Sequence, residues 1–216
     1  PKEKRAAFSW ARANPAGSLK LLGTHRELYG IAAVLFLMQL SHVVFPAVTV
    51  LYMGYRYQWG EMVVGLVLAG VGVCSMIVQG GLIRPVVKRI GERHALGAGL
   101  AFGAAGMTIY GAAPAGWIFL AGIPVMALWG LAGPSAQAIM SRRVSPSEQG
   151  QLQGATSSLQ AITGMIGPTL FTQVFAQSIA RGEGLHVPGM PFYVAAAMLA
   201  LSGIIAWQVT RPPAQP

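Results

Sequence analysis

The chain has 216 residues, 54% of them hydrophobic and only 10% charged, with a net charge of +9 and a mean hydropathy of +0.55. Soluble domains carry about 25% charged residues, so this composition excludes an ordinary water-soluble globular fold and points to lipid. The net charge would suit a nucleic-acid partner, but the cations gather at alternate ends of long apolar runs, the positive-inside bias of a membrane protein, which argues against nucleic acid.

Residues 1–26 are basic. Phe8, Trp10, Leu19, Leu21 and Leu22 alternate with Arg12, Lys20 and Arg26, as suits a helix lying on lipid headgroups or a plain linker. The opening is too polar for a secretory signal, and Pro1 in place of methionine leads us to expect a fragment or a processed chain. A helix of about 20 apolar residues spans the roughly 30 Å hydrocarbon layer. On that measure the first crossing covers 28–52, with Arg56 and Trp59 at the far interface, and the second covers 62–83.

Arg84, Lys88, Arg89 and Arg93 then place four cations within ten residues, read as an aqueous loop on the side that also holds the basic opening. No Lys, Arg, Asp or Glu follows until Arg142. That span is too long for one helix, and Gly111-Ala-Ala-Pro114-Ala-Gly116 divides it with a turn into crossings at 95–110 and 117–140. Arg142 and Arg143 bring the chain back to the basic side. The fifth crossing covers 149–180, Arg181-Gly-Glu183-Gly is its far loop, and the sixth covers 191–210, ending at Arg211. The expected fold class is an all-α membrane protein, a six-helix bundle over 28–211 with a short tail at 212–216 and both ends on the basic side. The sole cysteine, Cys74, lies within an apolar run, so neither a disulfide nor a zinc framework is expected.

Polar side chains inside the runs are the candidates for function. His42, the one titratable group deep in a crossing, shares a helical face with Gln39. It is either bonded to a neighbouring helix or engaged with substrate or protons. The fourth crossing carries Trp129-Gly130, Gly133-Pro134 and Gln137: Pro134 bends the helix near mid-bilayer, and Trp129 either stacks an aromatic ligand or packs on glycine-rich neighbours. On the fifth crossing Gln153, Thr156, Ser157, Gln160 and Thr163 form a polar stripe continuing to Gly164 and Gly167. It serves helix–helix bonding or lines a cavity, and Gln79 in the second crossing is similar. Gly99 and Gly103, four apart, mark close helix packing. Gly70-Val-Gly72 has no strand before it and is no dinucleotide loop. None of the six glutamates lies deep in a run and there is no aspartate.

The run Gln149-Gly-Gln-Leu-Gln-Gly154 with Gly164-Met-Ile-Gly167-Pro168-Thr-Leu-Phe171 resembles the eleventh helix of tetracycline-efflux-type transporters in the major facilitator superfamily. Arg89-Ile-Gly91-Glu92-Arg93-His-Ala-Leu96 resembles their loop between helices eight and nine, Phe36-Leu-Met-Gln39-Leu40 their helix seven, and Arg56-Tyr-Gln-Trp59 the loop after it. The resemblance implies the C-terminal half, helices seven to twelve, of a twelve-helix exporter in the cell inner (plasma) membrane, with residues 1–27 ending its central cytoplasmic loop. It implies as partners the missing N-terminal six-helix half, the lipid bilayer, protons and a small drug-like molecule. No cofactor or resident metal is implied; the proton gradient is the driving force, and the substrate can be a metal chelate such as tetracycline–magnesium. By the same resemblance the first and fourth helices line the cavity, the second and fifth gate it, and the third and sixth lean toward lipid. Arg89, Gly91, Arg93, Pro134, Gly164, Gly167 and Pro168 are the structural and gating positions, the run from Gly164 to Pro168 resembling the antiporter motif. Two departures stand out. Arg84 and Lys88 occupy the places of the loop motif's first glycine and its acid, and Gly103 occupies that of the aspartate in the ninth helix. Any proton-titrating carboxylate is therefore expected in the other half.

Three other functions stand as alternatives: transport of a non-drug metabolite, a membrane-embedded protease and a non-transporting scaffold. Gly133-Pro-Ser135-Ala136 lacks the glycine that follows the serine of rhomboid-type proteases, and His186 falls in a loop, so an enzyme is not expected.

Overall fold

The computed structural model describes residues 26–180 and 186–211. Residues 1–25 of the predicted basic opening, the far loop at 181–185 and the tail at 212–216 lie outside the described residues, and the described part is helical, the first helix starting at Arg26, one residue before the expected boundary at 27.

Helix α1, Arg26–His42, continues through a π-helical turn, Phe45–Thr49, into α2, Val50–Tyr57. Pro46 explains the turn: it has no N–H for the His42 carbonyl and its ring crowds the preceding turn, so the chain widens locally instead of continuing as α-helix. The rod runs five residues beyond the expected end at 52, taking Arg56 into its last turn. It stops where Gln58 turns left-handed (φ 55°) and its N–H caps the Gly54 carbonyl at 3.1 Å.

α3, Glu61–Ile77, passes through a second π turn, Val78–Leu82, into α4, Ile83–Ala112. Pro85 follows this turn as Pro46 lies in the first. Here the expected aqueous loop at 84–93 needs correction. The stretch is helical apart from Gly91, whose φ of 77° and ψ of 163° break α4 into arms at 83–90 and 92–112. Only glycine occupies that region without strain, so one residue makes the reversal that the cations made look like a loop.

α5, Gly116–Ala127, a 3₁₀ turn, Leu128–Leu131, and α6, Ala132–Ser141, form one rod. The tight turn lies between Pro124 and Pro134, the second of which denies the Gly130 carbonyl its donor. Before α7, Gln149–Ile179, Ser145 presents its N–H and Oγ to Glu148 Oε2 at 3.0 and 2.6 Å, closing the turn that leads into the helix. α8, Met190–Val209, closes the chain.

Among the described residues four stretches are long and apolar enough to cross a membrane: Leu28–Tyr57, Glu61–Ala112, Gly116–Ser141 and Met190–Val209. The second has 52 residues, roughly 78 Å of helix against a 30 Å layer, and Gly91 divides it. α7 has the length but not the hydropathy, because its polar stripe dilutes it.

α8 packs between α1 and the second arm of α4; α5 and α6 pack on α4, and α7 lies against α1. Buried serines tie the first of these contacts: Ser41 Oγ donates to the Ala195 carbonyl at 3.3 Å and Ser202 Oγ to that of Val34 at 3.2 Å. At the Tyr57 end, Tyr52 and Tyr57 hydroxyls donate to the carbonyls of Tyr110 and Ala113 at 2.9 and 3.0 Å. By contrast α3 turns much of its apolar surface outward, with Met62 78%, Leu66 67% and Met76 73% exposed. That arrangement is costly in water and natural in lipid or against a further bundle.

Candidate functional site

Proline-driven irregularities in two rods meet across one space. A cavity of about 720 Å³ is bounded by α1 and its π turn, α3 with its own π turn, and the α5–α6 rod, with Tyr110 of α4 and Thr156 of α7 completing the wall. Ligand pockets fall in this size range. His42 is the only titratable side chain on the wall apart from Tyr110, and the wall carries no Asp, Glu, Lys or Arg.

Aromatic rings make up its far side. Tyr110 and Phe119 stack with centroids 4.1 Å apart, and Phe45 stands edge-on to Tyr110 at 6.4 Å. The His42 ring lies 5.6 Å from both Phe45 and Trp129. It is exposed to the cavity and makes no hydrogen bond among the described residues. Gln39 lies one turn before it on the same wall.

Trp129 faces two ways. Its front meets His42, while its back sits on Gly103 of α4, where an added Cβ would lie 2.8 Å from the indole Cγ. The Trp129 Nε1 and Gln137 Nε2 donors are enclosed and have no hydrogen-bond partner among the described residues. Leaving a buried donor unmet costs about 1–3 kcal/mol, so both donors are candidates to bond a ligand or water. Gln79 reaches the cavity from the second π turn, beside Gly130, and Pro134 lies on the wall with Gln137.

Ser157 and Gln160 do not join this cavity. With Gln153 and Gly164 they share the exposed face of α7, whereas Thr156, Thr163 and Gly167 turn inward. Thr156 reaches the cavity and its hydroxyl back-bonds to the Leu152 carbonyl at 3.0 Å. Gly167 lets α7 close on α1, an added Cβ there falling 2.8 Å from Val43. Gly164 meets open space and Pro168 is exposed. The sequence reading missed Phe45, Tyr110 and Phe119. Phe45 carried a usable signal, since it stands one turn beyond His42 and directly before Pro46.

A second constellation surrounds Gly91. Arg93 Nη2 donates to the Trp207 carbonyl at 3.1 Å and its guanidinium lies 4.2 Å from that ring's centroid. Arg143 Nη2 donates to the Val209 carbonyl at 3.1 Å, and Arg142 pairs with Glu92 at 2.6 Å. These contacts join α4, α6 and α8 at the basic end, while Arg89 is exposed outside them. Ser135 is buried and donates to the Leu131 carbonyl at 2.7 Å; it is a helix-bonded serine with nothing of a nucleophile's setting.

The family profile of the Major Facilitator Superfamily matches residues 31–216. The chain is 33% identical over 172 residues to the class C tetracycline resistance protein of Escherichia coli, covering 80% of this chain and 43% of that one. It is 34% identical to the class G protein of Vibrio anguillarum, covering 80% and 44%. Hippocampus abundant transcript-like protein 1 of Homo sapiens is similar at 24% identity, covering 93% and 42%. The chain thus spans less than half the length of the curated relatives it matches. Its fold is similar to the crystal structure of the Major Facilitator Superfamily transporter FucP in the outward conformation, with a TM-score of 0.74 at 14% identity over 98% of this chain and 49% of that one.

Proposed function

The chain belongs to the Major Facilitator Superfamily, a family of transporters and not of enzymes, and from that premise we propose that it forms the C-terminal six-helix half of a proton-coupled drug exporter working by alternating access. The six crossings are α1–α2, α3 with the first arm of α4, the second arm of α4, α5–α6, α7 and α8. The observation that carries the reading is the uncharged, aromatic- and amide-lined cavity. Its wall comes from the first, second and fourth crossings, and it opens beside the unpacked faces of α3 and α7. A second bundle laid on those faces would close the cavity, and substrate sites between repeats near the midplane suit rocking of one half against the other.

On this reading Gln39, His42, Gln79, Trp129 and Gln137 contact the substrate, and the proton-titrating carboxylate belongs to the complementary half. The basic end, with both ends of this chain, is cytoplasmic, and the protein lies in the inner membrane. The proton gradient drives export and no cofactor takes part. Reconstituted full-length protein should move substrate against its gradient when a pH gradient is imposed. Flux indifferent to that gradient, or transport by residues 26–211 alone, would overturn the reading.

One observation bears on the substrate. Tetracycline-type exporters carry an aspartate where this chain has Gly103, and the indole of Trp129 occupies the space beside it. A wall without carboxylates suits an uncharged or aromatic compound better than a magnesium chelate, which favours other drug-like molecules or a neutral metabolite over tetracycline. Competition between tetracycline and an uncharged aromatic drug for the reconstituted protein decides between them.

A further inference from the structure

A second cavity, again about 720 Å³, lies on the outside of the bundle between the second arm of α4 and α8. Gly97, Ala101 and Ala104 line it from one helix and Ala200 and Gly203 from the other. Leu100 and Leu199 floor it, and the small residues beside them leave an open channel over the packed seam. The channel is apolar except at the basic end, where His94, Gln208 and Arg211 line it beside Trp207.

That end is rigidly built. Trp207 is held by the Arg93 guanidinium 4.2 Å from its ring and by the edge of His94 at 5.9 Å. His94 Nδ1 donates to the Ile90 carbonyl at 3.0 Å, so its Nε2 can donate to an anion only on the imidazolium. Arg211 is exposed. From Ala104 to His94 the helix rises roughly 15 Å, half of the 30 Å hydrocarbon layer. The channel is therefore as deep as one leaflet and carries Arg211 where a headgroup lies.

We propose that this channel binds one anionic phospholipid, an acyl chain lying against Ala101 and Gly203 and the phosphodiester meeting His94 and Arg211. Basic pockets between membrane helices recognise anionic headgroups in this way, and an interfacial tryptophan marks the same depth. A second copy of the chain fits less well. Two copies inserted with the same orientation would bring like cations together at the same depth, a repulsion with no acid on this face to relieve it.

The test uses the full-length protein in nanodiscs with Trp207 as its sole tryptophan and lipids brominated on their acyl chains. Brominated phosphatidylglycerol should quench Trp207 at a mole fraction at least about fivefold lower than brominated phosphatidylcholine, the preference one cation confers. His94→Gln with Arg211→Gln, both exposed, should remove the preference, and Ala101→Leu should abolish the saturable part of the quenching. Native mass spectrometry of the otherwise unaltered protein gives a second measurement, retaining phosphatidylglycerol that the double variant loses. Equal quenching by both lipids would mean annular lipid only. A disulfide dimer through Ala101→Cys in a Cys74→Ser background would mean a second copy fills the channel. Either result overturns the proposal.

Discussion

Trp129 stands in the space that a side chain at residue 103 would need: an added Cβ at Gly103 would lie 2.8 Å from the indole Cγ and 3.0 Å from Leu199 Cδ1. The helix approach at Gly103 and the cavity wall at Trp129 are therefore one feature. Glycine on α4 lets the indole sit back far enough to leave room before His42.

Gly103→Asp should lower the midpoint of thermal unfolding in detergent, at a cost of about 2–4 kcal/mol, because it overpacks the contact and buries a carboxylate. Adding Trp129→Ala should return at least about 1 kcal/mol, as expected of side chains competing for one space. Purely additive losses would show that the two do not compete.

Gln137→Leu removes an enclosed amide donor that has no partner among the described residues. Relieving an unmet buried donor is neutral or stabilising by about 1 kcal/mol, so the unfolding midpoint should hold or rise. Substrate affinity should fall about tenfold in equilibrium binding if the amide bonds the ligand. A lowered midpoint would show that the amide is already satisfied.

Gly91→Ala should destabilise by about 1–3 kcal/mol, since φ 77° with ψ 163° is open almost solely to glycine. Glu92→Gln should cost less than about 1 kcal/mol, because its partner Arg142 is 75% exposed and exposed pairs contribute little. Unfolding midpoints of the two variants, compared directly, should keep that order.

Single cysteines at Arg56 and Lys88, in a Cys74→Ser background, should label from opposite faces of the membrane with an impermeant thiol reagent. Arg56 is exposed in the last turn of α2, just before the proposed second crossing, and Lys88 is exposed near the other end of that crossing, in the first arm of α4. Labelling of both from one face would sink the proposed topology.

Of the candidate residues read from the sequence, Gln39, His42, Gln79, Trp129 and Gln137 line one cavity. They are legible because a polar side chain in an apolar run has few uses. Tyr110 and Phe119 were not, since an aromatic residue in such a run looks the same whether it faces lipid, core or ligand. Ser157 and Gln160 lie outside this cavity for another reason. The stripe on α7 spans more than one face, and nothing local says whether Thr156 or Ser157, about 100° apart, turns inward. Likewise the basic stretch at 84–93 looked like a loop because charge reports exposure to water, which a helix end supplies as well.

The order and approximate ends of the apolar rods were settled by the sequence, because hydrocarbon thickness and the cost of burying charge act on each segment alone. The rotation of each rod, the use of one glycine as a hinge and the pairing of Gly103 with Trp129 were decided only in the folded bundle. Those choices depend on which surface of a neighbouring helix comes within contact distance, and no single segment carries that information.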